Sequence, residues 1–591
     1  MHAKPHFVRF GAVLAASILW LVTAIPAAAA DTLTPSPVTV SLVAGTSTTV
    51  NKTLSLDGLP ARADIIVAID TTASMGVPIA QAQADASNLC ATVQGSIPGA
   101  RFSVEALGDY PGMPFGSAGD VPYALLTPGF VSSCAVFSAA IATMTAHDGG
   151  DLPEAYNRTF FEAYSDAAYS APVAAGGRDP LASQFLVVLG DAGPHSSTAY
   201  GSCPAAPPDD FGPDGLPGGG DDLDTTTAIN GLIANNITLL MIRYTTGGVS
   251  VALSCYSDMA TATGGTAVND SGAGTIGPFI IANAKLVPYT ADLAVSAGCP
   301  IGFGFNPAFP TGSLTGPQVI PFVETITAPT TVGLYTCTIT ATTTPGGPTN
   351  AVETVNVTVT PAEPATLDLQ PATATNVVDA QHCVTATVKD AFGNVTPAIT
   401  VDFSVNPTTF RTPPSGTDVT NASGEATFCY TSALPGSDVI SAFADTDKSG
   451  TQNGSEPGDT ATKTWVLPGS SAGCKVTYGG RITAADGDKA TFGGNAKGAG
   501  PSGQEEYQDH GSAVNINVHS IDVQAVTCSR DGTSASIFGA ATVNGSGSVQ
   551  YRIDVVDNGE PGSSDTYRIR LGSGYDSGVQ TLTGGNVQVH K

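Results

Sequence analysis

Asp70, Thr72 and Ser74 stand at i, i+2 and i+4 directly after the apolar run of residues 65–69. A carboxylate and two hydroxyls so spaced can converge on one point. All are hard oxygen donors, which suit Mg2+ better than zinc or copper. The same residues could instead cap a following helix, where Thr and Ser are favoured. Three further stretches bring carboxylates: Gly108-Asp109-Tyr110, Gly149-Gly150-Asp151-Leu152-Pro153-Glu154, and Asp191-Ala192-Gly193-Pro194-His195. Asp191, like Asp70, directly follows an apolar segment. Two carboxylates at adjacent strand ends repel unless a cation lies between them, and this tilts the reading from cap to metal site.

Positioning these groups falls to the elements around them. Residues 65–69 show no polar alternation, as in a parallel strand buried on both faces. In open α/β sheets, ligands bind at the carboxyl ends of such strands. From residue 64 to about 284 strand and helix patterns alternate. Pro78 opens a helix with Ile79, Ala82, Ala86, Leu89 and Val93 on one face. A strand at 101–107 follows, then helices near 132–144 and 153–169 and a strand at 185–189. A helix near 223–235, a strand at 237–244 and a helix near 278–285 close the unit. This order predicts a doubly wound α/β sheet. Residues 36–57 alternate as two strands without local partners, and 286–360, 362–467 and 474–591 read as all-β. The fold class is therefore multidomain, α/β plus β-sandwiches.

Fifty acidic against 22 basic residues give a formal charge of −28. No basic patch is visible, which makes nucleic acid and anionic membranes poor partners; no nucleic acid is expected to bind. Lys4 and Arg9, the apolar stretch 10–25 and Ala27 to Ala30 read as a secretory signal peptide, with Asp31 the expected mature start. No later run approaches the ~18 apolar residues of a membrane span. The expected location is extracellular, secreted or held at the cell surface. Ten cysteines in an exported chain are expected to pair. Nearest-neighbour pairing, Cys90–Cys134, Cys203–Cys255, Cys299–Cys337, Cys383–Cys429 and Cys474–Cys528, keeps each bridge within one unit, although the sequence alone leaves other connectivities open.

The chain here resembles a known family, the integrin β-subunit type of von Willebrand factor A domain with its metal-ion-dependent adhesion site. Asp70-x-Thr72-x-Ser74-Met75 resembles that family's Asp-x-Ser-x-Ser-Met, with Thr replacing the first Ser. Asp191-Ala-Gly-Pro-His195 is similar to its Asp-Ala-x-x-His, and Asp151-Leu-Pro153-Glu154 to its Asp-x-Pro-Glu. The resemblance implies one Mg2+, or Mn2+, on Asp70, Thr72, Ser74, Glu154 and Asp191. It implies a second cation, Ca2+, near Asp109, Asp151, Pro153 and Glu154. Asp151 is the alternative to Glu154 as the main-site ligand, because ordinary A domains use Thr there. The family's third, regulatory site is expected to be absent, since Gly76-Val77-Pro78 stand where its paired aspartates belong.

The resemblance also implies an A domain inserted into a hybrid-like sandwich. The expected units are a signal peptide 1–30, a sandwich 31–61 plus 286–361, and an A domain 62–285. An immunoglobulin-like domain 362–467 and a C-terminal β-rich module 468–591 follow. Val384-Thr-Ala-Thr-Val388-Lys-Asp390-Ala-Phe-Gly-Asn394 and Asn421-Ala-Ser-Gly424-Glu-Ala-Thr-Phe428 resemble bacterial immunoglobulin-like domains of the invasin–intimin type. There Cys383 and Cys429 would bridge the two sheets. Asn558-Gly-Glu-Pro-Gly562 and Gly584-Gly585-Asn586 resemble a C-terminal module of secreted bacterial proteins.

Two motifs invite weaker readings. Gly469-Ser470-Ser471-Ala472-Gly473 fits the hydrolase Gly-x-Ser-x-Gly, but it lies in a linker rather than a strand-to-helix turn. The acidic residues from Asp209 to Asp224 fit no regular Ca2+ loop and read as a solvated loop. His195 reads as a supporting donor or a packed loop residue rather than a base. The expectation is a non-enzymatic adhesion-type protein whose metal takes a partner's carboxylate. The rivals are an extracellular hydrolase with a docking A domain, and a purely structural surface protein.

Overall fold

The computed structural model describes residues 31–591 except 113, 114, 148, 213, 219, 246–250, 270–273, 275 and 513. The signal-peptide reading of 1–30 lies outside these. The protein is mostly β, 48% strand against 14% helix, so helix is concentrated in one unit.

That unit holds a six-stranded sheet in the order Thr266–Asn269, Ile237–Arg243, Ser183–Gly190, Ala63–Asp70, Arg101–Leu107, Tyr123–Leu125. All neighbours are parallel except the last pair. Every residue of Ala63–Asp70 is buried. Ile65, Val67 and Ile69 pack with helices α1 (Gly76–Ser96), α2 (Cys134–Ala142) and, late in the chain, residues Ile276 and Ile280 of the helix Ile276–Asn283. Ile66 and Ala68 pack on the opposite face with α3 (Tyr156–Ser165), α4 (Thr225–Ala234) and α5 (Leu253–Ala262). Apolar cover on both faces is why the strand lacks alternation. The chain leaves Ala63–Asp70 toward one edge and resumes on its other side with Ser183–Gly190, so Asp70 lies where the strand order reverses. That is the place where such sheets open a crevice.

One helix departs from the sequence reading. Residues 153–169 do not form a single helix. Pro153–Glu154 is a short strand parallel to Gly193–Pro194, and α3 begins only at Tyr156. Pro153 has no N–H to give and biases Leu152 to an extended conformation. The carbonyl of Glu154 then accepts from the His195 N–H at 3.3 Å. This displacement carries the Glu154 carboxylate onto the sheet edge.

The strands flanking this unit pair with each other across it. Thr32–Thr34, Ser47–Leu56, Gln318–Thr327 and Gly302–Asn306 form one sheet, and Thr290–Val295, Gly333–Thr344, Gly347–Thr360 and Val38–Val43 another. Between them Lys52 meets Glu353 at 2.6 Å, both buried, with Glu324 buried beside them.

The next sandwich holds sheets of four and five strands. Here the disulfide reading needs correction. Cys383 and Cys429 are directly opposite on neighbouring antiparallel strands, with Cα atoms 4.0 Å apart, so their bridge is cross-strand within one sheet. Buried His382 and Val384 flank exposed Cys383, which the period of two turns away from the core. The C-terminal unit is a nine-stranded antiparallel meander. Its final segment pairs first with Thr566–Leu571, through Gln580–Thr581, and then with Lys475–Thr483, through Gly584–His590. All ten cysteines are bridged, in the five nearest-neighbour pairs. Such bridging fits an extracellular protein. Among the described residues no helix is long and apolar enough to cross a membrane.

Candidate metal centre

Asp70 ends its strand fully buried. Its Oδ1 accepts from the Thr72 N–H at 2.9 Å and the Thr72 hydroxyl at 2.7 Å. The Thr72 and Ser74 hydroxyl oxygens lie 3.4 Å apart, and the exposed Ser74 donates to Asp191 Oδ1 at 3.1 Å. Asp70, Thr72, Ser74 and Asp191 therefore form one chain of oxygens.

Glu154 joins from the short strand beside Gly193–Pro194. It is 4% exposed, and its Oε2 is buried without a hydrogen-bond partner. A Cβ added at Gly149 would come 3.4 Å from both Glu154 Oε1 and Thr72 Cβ, so this residue lies against both side chains. Burial pushes Glu154 up to about 11, helped by the charges of Asp70 and Asp109. Burial likewise raises Asp70 to about 7, opposed by its bonds to Thr72 and reinforced by Asp191.

The opposite end of the same strand offers a contrast. Asp64 is equally buried, but Arg101 donates to it twice at 2.9 Å and the Asp179 N–H once at 2.7 Å. At the carboxyl end the charges bearing on Asp70 and Glu154 are other carboxylates. An ionised pair there needs a cation.

Of the second-cation residues, Asp109 is buried, its Oδ1 accepting from the Tyr110 N–H at 2.8 Å while Oδ2 has no partner. Asp151 is exposed on its loop, which two N–H bonds from Gly150 and Asp151 tie to the Phe115 carbonyl. Pro153 contributes backbone pairing, not a ligand atom. The structure adds His195 to this group. Its Nε2 lies 3.5 Å from Asp109 Oδ1 and 3.8 Å from Asp151 Oδ1, and neither ring nitrogen has a hydrogen-bond partner. One ligand atom from each of Asp109, Asp151 and His195 falls within 4.8 Å of the others. The His195 pKa is raised: burial lowers it, and Asp109, Asp210 and Asp151 outweigh that.

Several supports are invisible in the linear pattern. Tyr156 donates to Asp70 Oδ2 at 3.1 Å and touches the Tyr256 hydroxyl at 2.8 Å, which in turn donates to the Ala192 carbonyl. Asn157 holds the His195 carbonyl at 2.7 Å. Asp210, from the acidic loop, is buried rather than solvated and accepts from the Arg158 N–H, while Asp224 caps α4 through Thr227. A cavity of about 220 Å³ lined by Thr72, Asp109, Asp120 and His147 opens beside the centre. Ser471 sits in a linker with its N–H on the Val526 carbonyl, and no catalytic partner surrounds it among its described contacts.

The donor set fits a hard divalent ion. It offers oxygen atoms only, an orphaned buried carboxylate oxygen, and two neutral hydroxyls. Asp70, Thr72, Ser74, Glu154 and Asp191 would hold it.

Residues 365–455 match the family model of the bacterial Ig-like domain (group 1). No curated protein matches the chain. Similar solved structures include a von Willebrand factor type A protein from Catenulispora acidiphila, at 16% identity and TM-score 0.25, covering 54% of this chain and 71% of that one. Proximal thread matrix protein 1 of the mussel byssus is similar at 16% identity and TM-score 0.25, over 38% and 49%. The D00-D0 domain of intimin is similar at 17% identity and TM-score 0.19, over 30% and 85%.

Proposed function

We propose that the chain is a secreted or surface-held adhesion-type protein, not an enzyme, that recognises a partner's carboxylate through a divalent metal. Residues 62–285 act as a doubly wound A-type domain of the integrin β kind, set into the sandwich of 31–61 and 286–361. The single observation that carries this is the contrast along Ala63–Asp70. The buried carboxylate at one end has its arginine, whereas the charges bearing on Asp70 and Glu154 at the other end are those of other carboxylates. When bound, Mg2+ or Mn2+ supplies an electrophilic point for a carboxylate. The neutral hydroxyls of Thr72 and Ser74 would leave the ion more electrophilic than an all-carboxylate set would. Tyr156 and Asn157 hold the Asp70 carboxylate and the 191–195 loop in place. Asp109, Asp151 and His195 would shape a neighbouring Ca2+ position. The Ig-like and C-terminal units then serve as spacer or anchor.

The test is capture of carboxylate-bearing surface proteins by the immobilised full chain. Capture should require Mg2+ and fail in EDTA. It should also fail with Asp70→Ala, and with a partner whose carboxylates have been methyl-esterified. Equal capture in EDTA would contradict the proposal.

A further inference from the structure

The loop joining Gly436–Asp445 to Gly458–Val466 carries a second pattern of oxygen donors, far from the A-type unit in sequence. Its twelve residues are Asp445-Thr446-Asp447-Lys448-Ser449-Gly450-Thr451-Gln452-Asn453-Gly454-Ser455-Glu456. Acidic or polar oxygens fall at positions one, three, five and nine, glycine at six and glutamate at twelve. This is the ligand register of a Ca2+-binding loop, here spanning two strands in place of two helices. The register belongs to the sequence, whatever conformation the loop takes.

The structure draws the ligands together. Asp445 and Glu456 are 4% and 5% exposed, and ligand oxygens of Asp445, Asp447 and Glu456 lie within 4.8 Å of one another. Loop N–H groups aim at them: Ser449 and Gly450 at Asp445 at 3.0 Å each, Thr446 and Asn453 at Glu456 at 2.7 and 2.9 Å. Gly450 at position six has φ +71°, the turn such loops demand.

A second observation comes from outside the loop. Asp402, on the neighbouring strand Thr400–Asn406, has its Oδ2 buried with no hydrogen-bond partner. It lies within interaction reach of both Asp445 and Glu456. Four carboxylates thus meet, one with an orphaned oxygen, and among the described residues no lysine or arginine forms an ion pair with any of them.

We propose that Asp445, Asp447, Ser449, Asn453 and Glu456, with Asp402 behind them, form a Ca2+ site in the Ig-like unit. Many flexible oxygen donors including an acidic residue at position twelve favour Ca2+ over Mg2+, which demands a tight octahedron and keeps its waters. Bound Ca2+ would fix the hairpin end where Asp445 pairs with Thr400.

The experiment is calorimetric titration of CaCl2 into the full chain, alongside trypsin digestion at the exposed Lys448. The parent should bind one more Ca2+ per chain than Glu456→Gln, with Kd on the order of 10⁻⁴ to 10⁻³ M, as in extracellular modules. Ca2+ should slow cleavage after Lys448 by about tenfold or more in the parent and leave it unchanged in the variant. Asp447→Asn, at an exposed position that leaves the fold intact, should lose the same ion and the same protection. Equal Ca2+ stoichiometry and equal Lys448 cleavage in the parent and Asp447→Asn would overturn the proposal.

Discussion

Asp70→Ala should abolish the thermal stabilisation that Mg2+ gives the parent, without unfolding the sheet. A ligand that binds only the native state stabilises it by mass action, about 2.7 kcal/mol at 100 times Kd. The variant should show none of this. Its metal-free form should melt no lower than the metal-free parent by more than about 1 kcal/mol, because removing one of several clustered carboxylates also removes repulsion. In the parent the effect depends on pH. Folding raises the carboxyl pKa of Asp70 to about 7 and of Glu154 to about 11, mainly by burial. Above pH 4 to 5 the unfolded chain has released protons that the native, metal-free chain retains. Metal-free stability therefore falls as pH rises through that window. Mg2+ must displace those protons, so its affinity should rise over the same range, with proton release. Calorimetry in buffers of different ionisation enthalpy measures both. A pH-independent affinity, or unchanged stabilisation in Asp70→Ala, would remove Asp70 from the centre.

Lys52→Met should cost the first sandwich about 3–5 kcal/mol, far more than its lost packing. Lys52 and Glu353 are 0% and 1% exposed in their side chains, and Lys52 also donates to the Pro35 carbonyl. Glu324 lies beside them with neither oxygen hydrogen-bonded. Deleting Lys52 leaves two buried carboxyls without the cation that faces them, the expensive case for a buried ion pair. Burial already raises both glutamate pKa values, and for Glu324 the neighbouring Glu353 adds to it. Without Lys52 both must hold protons to stay buried, so the deficit should grow as pH rises. Replacing all three together, Lys52→Met with Glu324→Leu and Glu353→Leu, should be neutral or stabilising. Scanning calorimetry on the full chain reads both variants. A Lys52→Met loss within about 0.5 kcal/mol, the range of ordinary surface substitutions, would show that the cluster is already solvated or neutral.

The parts of this architecture legible in sequence are those set by local pattern. Residues 65–69 are apolar on both faces, so a buried strand followed by Asp70 could be read directly. Asp191 was legible for the same reason, as an acid just past an apolar run, whereas Asp109 was placed by the family resemblance. The short strand Pro153–Glu154 was not, because its conformation is fixed by pairing with Gly193–Pro194, some forty residues away. Tyr156 and Tyr256 come from different helices, and only tertiary packing brings the Tyr156 hydroxyl to Asp70 and the Tyr256 hydroxyl to Tyr156. Asp210 looks like any other acid of its loop in sequence, and only its full burial sets it apart from the partly or fully exposed ones around it. Cys383 illustrates how little a cysteine pair says about sheets. A one-residue change of register would have turned it inward, and the strand period sets it outward instead. The spacing of Asp445 to Glu456 is written in the chain, whereas the contribution of Asp402 depends on strand pairing.

The proposed function requires a divalent ion among Thr72, Ser74 and Glu154. Crystals grown with Mn2+ and measured at its absorption edge test this most directly. The account predicts an anomalous peak in contact with the Thr72 and Ser74 hydroxyls and the Glu154 carboxylate, with Asp70 and Asp191 behind. A map with no peak there, or with one only among Asp109, Asp151 and His195, would contradict it.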